Sequence, residues 1–303
     1  MEEKNSQNNK KQEKNTIWKG VFFLILSAFF FSLMSLFVRL SGDLPTFQKA
    51  FFRNIIAAIA AGAVLAKSKS FKMQKGSLPT LLLRSITGIV GVVANFYAID
   101  NMPISDASIL NKLAPFFTVI FSIVILKEKA NWKDWLFVAI AFIGAIFVVK
   151  PSSEIAKSFP ALIAVLGGVA AGMAYTFVRK LGKQGERNAF IVFFFSSFCT
   201  VAMLPFMIIY YEPMTTMQVV FLILAGCMAA GAQFSLTAAY TYAPAKSISV
   251  YDYIQVLFTA LWGLIFLSEL PDIWSFVGYV IIIGAAVIKY MVARNEDKKQ
   301  KTE

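Results

Sequence analysis

Four ionisable side chains stand inside long apolar runs, at Arg53, Arg84, Lys112 and Asp252. A charge in an apolar helix crossing a membrane costs about 2.5–3.5 kcal/mol on insertion scales, so each needs a partner, a cavity or a path to the surface. Lys112 falls in "SDASILNKLAPFFT", with Asn111 beside it and Pro115 three residues on. Proline removes an N–H and frees the carbonyl four residues back, here that of Asn111. A freed carbonyl in lipid must find a partner or face a cavity. Lysine, amide and proline therefore form one inward-facing irregularity, either a hinge or a packing kink. Asp252 shares a helix face with Gln255, three residues on. At 1.5 Å per residue Lys112 lies about 12 Å from one face and Asp252 about 9 Å from the other, about 9 Å apart along the normal. They can flank a cavity and hold a zwitterion or a cation, or form a permanent pair, or Lys112 can snorkel outward. Arg53 divides between a cavity role and snorkelling. Arg84 reads as an anchor at the membrane interface.

Polar and aromatic residues in the same runs supply a candidate lining: Asn95, Tyr97, Tyr175, Gln233, Tyr251 and Trp262, with Asn111 and Gln255. Aromatic walls with a few placed polar groups suit a small ligand with an apolar part. Glu128 and Glu269 stand at helix ends as candidate loop or gate contacts, and Pro115 as a hinge. Histidine is absent from the chain, and no HExxH, GxSxG or P-loop motif occurs. The residues thus offer binding rather than catalysis, with no metal and no cofactor expected, and a gradient or exchange in place of nucleotide hydrolysis. Asp252 is a candidate proton site.

The elements that must hold these residues are membrane spans. The 303 residues are 58% hydrophobic and 15% charged, against roughly 25% charged in soluble domains. Ten apolar runs are long enough to cross, at about 17–40, 46–66, 78–100, 104–126, 132–150, 160–181, 188–211, 216–241, 246–267 and 273–292. The net charge of +12 sits in short gaps and at the ends, without a basic stacking surface, which argues against nucleic acid. Residues 1–16 and 293–303 read as disordered cytoplasmic tails. Lysine and arginine crowd the side that carries both termini, which predicts cytoplasmic termini in a cell membrane, plasma or inner. Cys199 and Cys227 read as small core hydrophobes.

A shift of 141 residues aligns "MPISDASILNKLAPFFTVIFSIVILKE" (from Met102) with "APAKSISVYDYIQVLFTALWGLIFLSE" (from Ala243) without a gap. Pro103 meets Pro244, Asn111 meets Asp252 and Glu128 meets Glu269. The halves, 17–150 and 160–292, hold five spans each. An odd number inverts the second half, as in secondary transporters whose site lies at the repeat interface near midplane.

These stretches, with "LLLRSITGIVGVVANFYAIDNMPISDASILNKLAPFFT", "LKEKANWKDWLFVAIAFIG" and "LSELPDIWSFVGYVIIIG", resemble the ten-span EamA type of the drug/metabolite transporter superfamily over nearly the whole chain. Phe137 stands where that family usually has glycine, a departure that bears on packing of the fifth span; Gly278 keeps the glycine in the second half. The resemblance implies a helical bundle with a central cavity, alternating access and a small organic cargo, amino-acid-like, zwitterionic or cationic. Within it, the third and fourth spans resemble the branch with S-adenosylmethionine carriers; a drug-efflux carrier is a further alternative. A membrane-embedded enzyme and a non-transporting structural bundle are the readings from other classes. Cargo identity, direction, coupling ion and oligomeric state stay open at this stage.

Overall fold

The computed structural model describes residues 2–69, 71–101, 109–150, 159–268 and 270–302, with backbone alone for 2–15, 96, 99, 100 and 293–302. Among the described residues there are helices and no strands. Ten helices are long and apolar enough to cross a membrane: α1 Thr16–Leu40, α2 Thr46–Lys67, α3 Leu78–Asn95, α4 Ile109–Leu126, α5 Trp132–Val149, α6 Phe159–Lys183, α7 Asn188–Ile209, α8 Thr216–Tyr242, α9 Ala245–Leu267 and α10 Ile273–Val292. The start of the fourth expected span, residues 104–108, lies outside the described residues. Where composition favours disordered tails, helix continues outward, from Glu2 into α1 and from α10 to Thr302. A helix already nucleated in a span propagates easily into Lys, Glu and Gln, all good helix formers.

The packing repeats with a two-fold pattern. Helix α1 lies along α8 as α6 lies along α3, and α4 packs on α6 as α9 packs on α1. Helices α2 and α7 pair across the pattern, and so do α5 and α10. Equivalent helices stand five spans apart and so run in opposite directions. The relating axis therefore lies in the membrane plane.

Equivalence reaches single backbone atoms. Helix α4 ends at Lys127, left-handed at φ 54°, and the next residue's N–H, that of Glu128, donates to Ser122 O at 3.2 Å. Helix α9 ends at Ser268, left-handed at φ 56°, and a backbone N–H of this cap donates to Gly263 O. Each pair differs by the 141-residue shift. The N-terminal turns are closed between equivalent positions with donor and acceptor exchanged: Asp134 Oδ2 accepts from Asn131 N at 2.9 Å in α5, and Asp272 Oδ1 accepts from Ser275 N at 3.0 Å in α10.

Helices α5 and α10 approach closely despite the missing glycine at Phe137. A Cβ on Gly144 would meet Gly278 O at 3.0 Å and Ile282 at 2.9 Å, so this crossing needs glycine. Phe137 is buried beneath the Lys289 ammonium, 5.5 Å from its ring centroid. The two helices are clamped at both ends, by Lys289–Asp134 and by Lys150–Asp272 at 2.5 Å.

Candidate functional site

Helices α4 and α9 are both broken near their middles. In α4 the helix stops after Asn111, turns at Lys112–Leu113, and restarts at Ala114 with Pro115 in its first turn. In α9 a short helix Ala245–Ile248 passes into a 3₁₀ segment Ser249–Tyr253 before Ile254–Leu267. Proline explains the first break. The second occurs without one, at Val256 in the equivalent position, so a Pro115 signal finds only half of the feature.

The breaks bring the expected charges into contact. Lys112 Nζ lies 3.1 Å from Asp252 Oδ2 and donates to Gln255 Oε1 at 2.8 Å. It also reaches the Asp252 carbonyl at 3.4 Å. The side chains are only 15% and 13% exposed, so the pair faces the interior and Lys112 does not snorkel. Tyr253 Oη donates to Lys112 O at 2.9 Å. The turn frees that carbonyl because Phe116 N bonds Leu113 O instead. The expected freed carbonyl was Asn111's; the one that finds an interior partner is Lys112's, one residue on. Asp252 also sits just before the N-terminus of Ile254–Leu267, where the helix dipole favours negative charge.

A second polar group borders the first. Tyr175 on α6 stacks on Tyr240 on α8, with ring centroids 5.3 Å apart. Tyr175 interacts electrostatically with Asp252, Arg84 and Arg53. The expectation for Arg84 is corrected: it is buried at 3% exposure, not anchored at the interface. Its guanidinium stacks 3.8 Å over the Phe195 ring, and Nη2 donates to Gln233 Oε1 at 3.4 Å. Space for it comes from Gly88, one turn on, whose missing Cβ would collide with Arg84 and Phe195. That arginine–glycine spacing is a sequence signal for an inward guanidinium. Arg53, half-buried, lies over the Phe31 ring at 5.9 Å and shares electrostatic neighbours Tyr175 and Cys199 with Arg84.

Other expected lining residues scatter. Tyr97 is 40% exposed and meets Phe159 edge-on, away from this cluster; position 97 falls on the outer side of the helix that continues α3 to Asn101. Tyr251 is buried with Tyr290 of α10 as its electrostatic neighbour. Trp262 donates to Ser32 Oγ at 2.9 Å, joining α9 to α1. Asn95 and Asn111 are half-buried, and Asn95 lies where α3 meets Gly167 of α6. Glu128 ends α4 in a network: Arg179 donates to it at 3.2 Å and Lys183 lies 2.7 Å away. Arg179 also donates to Thr241 O at 2.7 Å, so the network ties the ends of α4, α6 and α8. Glu269 lies outside the described residues.

Comparison with known proteins decides the family. The EamA-like transporter family model matches residues 18–150 and again 158–291. The chain belongs to the EamA-like transporter family. A pseudopaline exporter of Pseudomonas aeruginosa is 32% identical over 270 residues, covering 88% of this chain and 94% of that protein. Human solute carrier family 35 member G1 is 27% identical over 290 residues, covering 89% and 80%. An S-adenosylmethionine uptake transporter of Rickettsia prowazekii is 22% identical over 293 residues, covering 95% and 98%. A solved structure shares the fold with a TM-score of 0.80 at 15% identity, covering 91% of this chain and 98% of that one. This EamA-like protein is a multi-pass membrane transporter of small metabolites.

Proposed function

We propose that this transporter is a secondary carrier working by alternating access, and that its cargo carries both an amine and a carboxylate. The observation that carries the reading is the Lys112–Asp252–Gln255 cluster at coincident breaks of two helices from opposite halves. A zwitterion can replace the pair contact by contact, its carboxylate on Lys112 and its amine on Asp252 and Gln255. Such an exchange leaves neither Lys112 nor Asp252 unmatched at either stage. The exporter name of the 32% identical relative favours outward transport here. An S-adenosylmethionine-type cargo is the second reading, supported by the name of the Rickettsia relative.

The reading includes two coarser expectations. The cell membrane with cytoplasmic termini rests on the Lys and Arg crowding of one face. Transport without catalysis rests on an interior acid already engaged by Lys112 and on a chain without histidine. The test is exchange by purified protein in liposomes preloaded with glycine, glutamate or iminodiacetate. Counterflow of at least one is expected, lowered at least about tenfold in Asp252→Asn and Lys112→Met. Wild-type counterflow in both variants removes the reading.

A further inference from the structure

The interior charge does not balance. Lys112 and Asp252 neutralise each other, but Arg53 and Arg84 add two cations, and no acid lies within ion-pair distance of either among the described residues. Arg84 is 3% exposed and its Nε has no hydrogen-bond partner, which leaves a strong donor unsatisfied in the interior. Its contacts are a ring face and one amide oxygen at 3.4 Å. Neither neutralises it. Planar guanidinium forks match carboxylates bidentately, and unpaired charge in such surroundings is costly.

The two arginines repel each other and share Tyr175 as a neighbour, which in turn interacts with Asp252. One electrostatic group thus continues from the ion pair to the arginines. Its polarity is also lopsided between the halves: Arg53, Arg84 and Lys112 come from the first, Asp252 from the second. The positions equivalent to Arg53 and Arg84 by the repeat shift are phenylalanine and leucine or alanine. The second half carries no arginine at either equivalent position.

We infer that Arg53 and Arg84 form a carboxylate subsite beside the Lys112–Asp252 pair, so that the cargo is an amino polycarboxylate with a net negative charge. The inference rests on the zwitterion reading of the pair and adds the further acid groups. Arg84 binds a distal carboxylate through the edge that holds Nε, and Gln233 and the Phe195 ring fix the plane of the guanidinium. Arg53 supplies the second positive charge.

The test uses purified full-length protein in neutral detergent at fixed ionic strength. Melting temperature is measured with glycine, iminodiacetate and nitrilotriacetate, which carry one, two and three carboxylates on one amine. A ligand of the native state raises it. Stabilisation is expected to grow along the series in the wild type. Arg84→Gln and Arg53→Gln are each expected to weaken apparent nitrilotriacetate affinity about tenfold or more, and Arg84→Lys less than Arg84→Gln. The melting temperature of ligand-free Arg84→Gln is expected to equal or exceed that of the wild type. A response absent or flat across the series overturns the inference, as does a rising response untouched in the arginine variants. A flat response that still requires Lys112 and Asp252 overturns the subsite and leaves the zwitterion reading standing. A rising response that ignores Lys112→Met and Asp252→Asn but needs the arginines removes the zwitterion reading instead.

Discussion

Lys112 Nζ lies 3.1 Å from Asp252 Oδ2, and this contact joins the break in α4 to the break in α9. The two residues come from opposite halves of an inverted duplication. Their bond is therefore a contact across the interface of the two repeats.

Removing one partner leaves the other charged and unpaired in the interior. Asp252→Asn and Lys112→Met are each expected to destabilise the protein by about 3 kcal/mol. The double variant Lys112→Met/Asp252→Met should be less destabilised than the sum of the two. Chemical denaturation in detergent measures all three, and additive losses would mean that the pair carries no coupling.

Tyr253 caps the Lys112 carbonyl freed by the turn. Tyr253→Phe keeps the ring and leaves that carbonyl unpaired, at a cost of about 1–3 kcal/mol. Transport should fall as well, because the turn positions the ammonium. A melting temperature equal to wild type would show that water or another donor replaces the hydroxyl.

Asp272, in the loop ahead of α10, has its carboxyl lowered to about 2. The main cause is the hydrogen bond from Lys150, followed by the one from Ser275 N. The folded value is below the ordinary 3.8, so the stabilisation is present above that ordinary value and lost as pH falls through about 2. Asp272→Asn should lower the melting temperature at pH 7, and the difference from wild type should close between pH 4 and pH 2. A difference constant over that range would contradict this origin. The group is solvent-exposed, so the effect should be small.

The crossing of α5 and α10 depends on its glycines. Gly144→Val is expected to destabilise by about 1–3 kcal/mol, because the added atoms meet Gly278 O and Ile282. Gly284, with nothing near its missing Cβ, is the control: Gly284→Ala should stabilise by about 0.5–1 kcal/mol. Melting temperatures of the two variants should move in opposite directions.

The fold was largely legible in the sequence for a physical reason. Each crossing helix must satisfy its own backbone, so span length and apolarity appear directly in the residues. The ungapped alignment of "NKLAPFFT" with "DYIQVLFT" also carried enough to put Lys112 and Asp252 at one interface. Side-chain direction was another matter. Tyr97 and Tyr175 look alike in sequence, yet one is 40% exposed and the other stacks on Tyr240 inside. Depth along a span follows from counting, whereas the facing side depends on which helices are neighbours. Arg84 counts as interfacial by depth but faces inward, and Gly88 is the clue one turn away. The 3₁₀ break in α9 carried no proline to announce it. What marks it in the structure is tertiary contact, of Tyr253 and Asp252 with Lys112.

The central claim is that cargo exchanges into the Lys112–Asp252 contact. Counterflow of labelled iminodiacetate in proteoliposomes tests it most directly, with wild type, Asp252→Asn, Lys112→Met and Gly284→Ala prepared side by side. The account predicts saturable counterflow in wild type and Gly284→Ala, and at least about tenfold less in the two charge variants at equal folded protein. Wild-type counterflow in both charge variants, or none in the wild type, would contradict it.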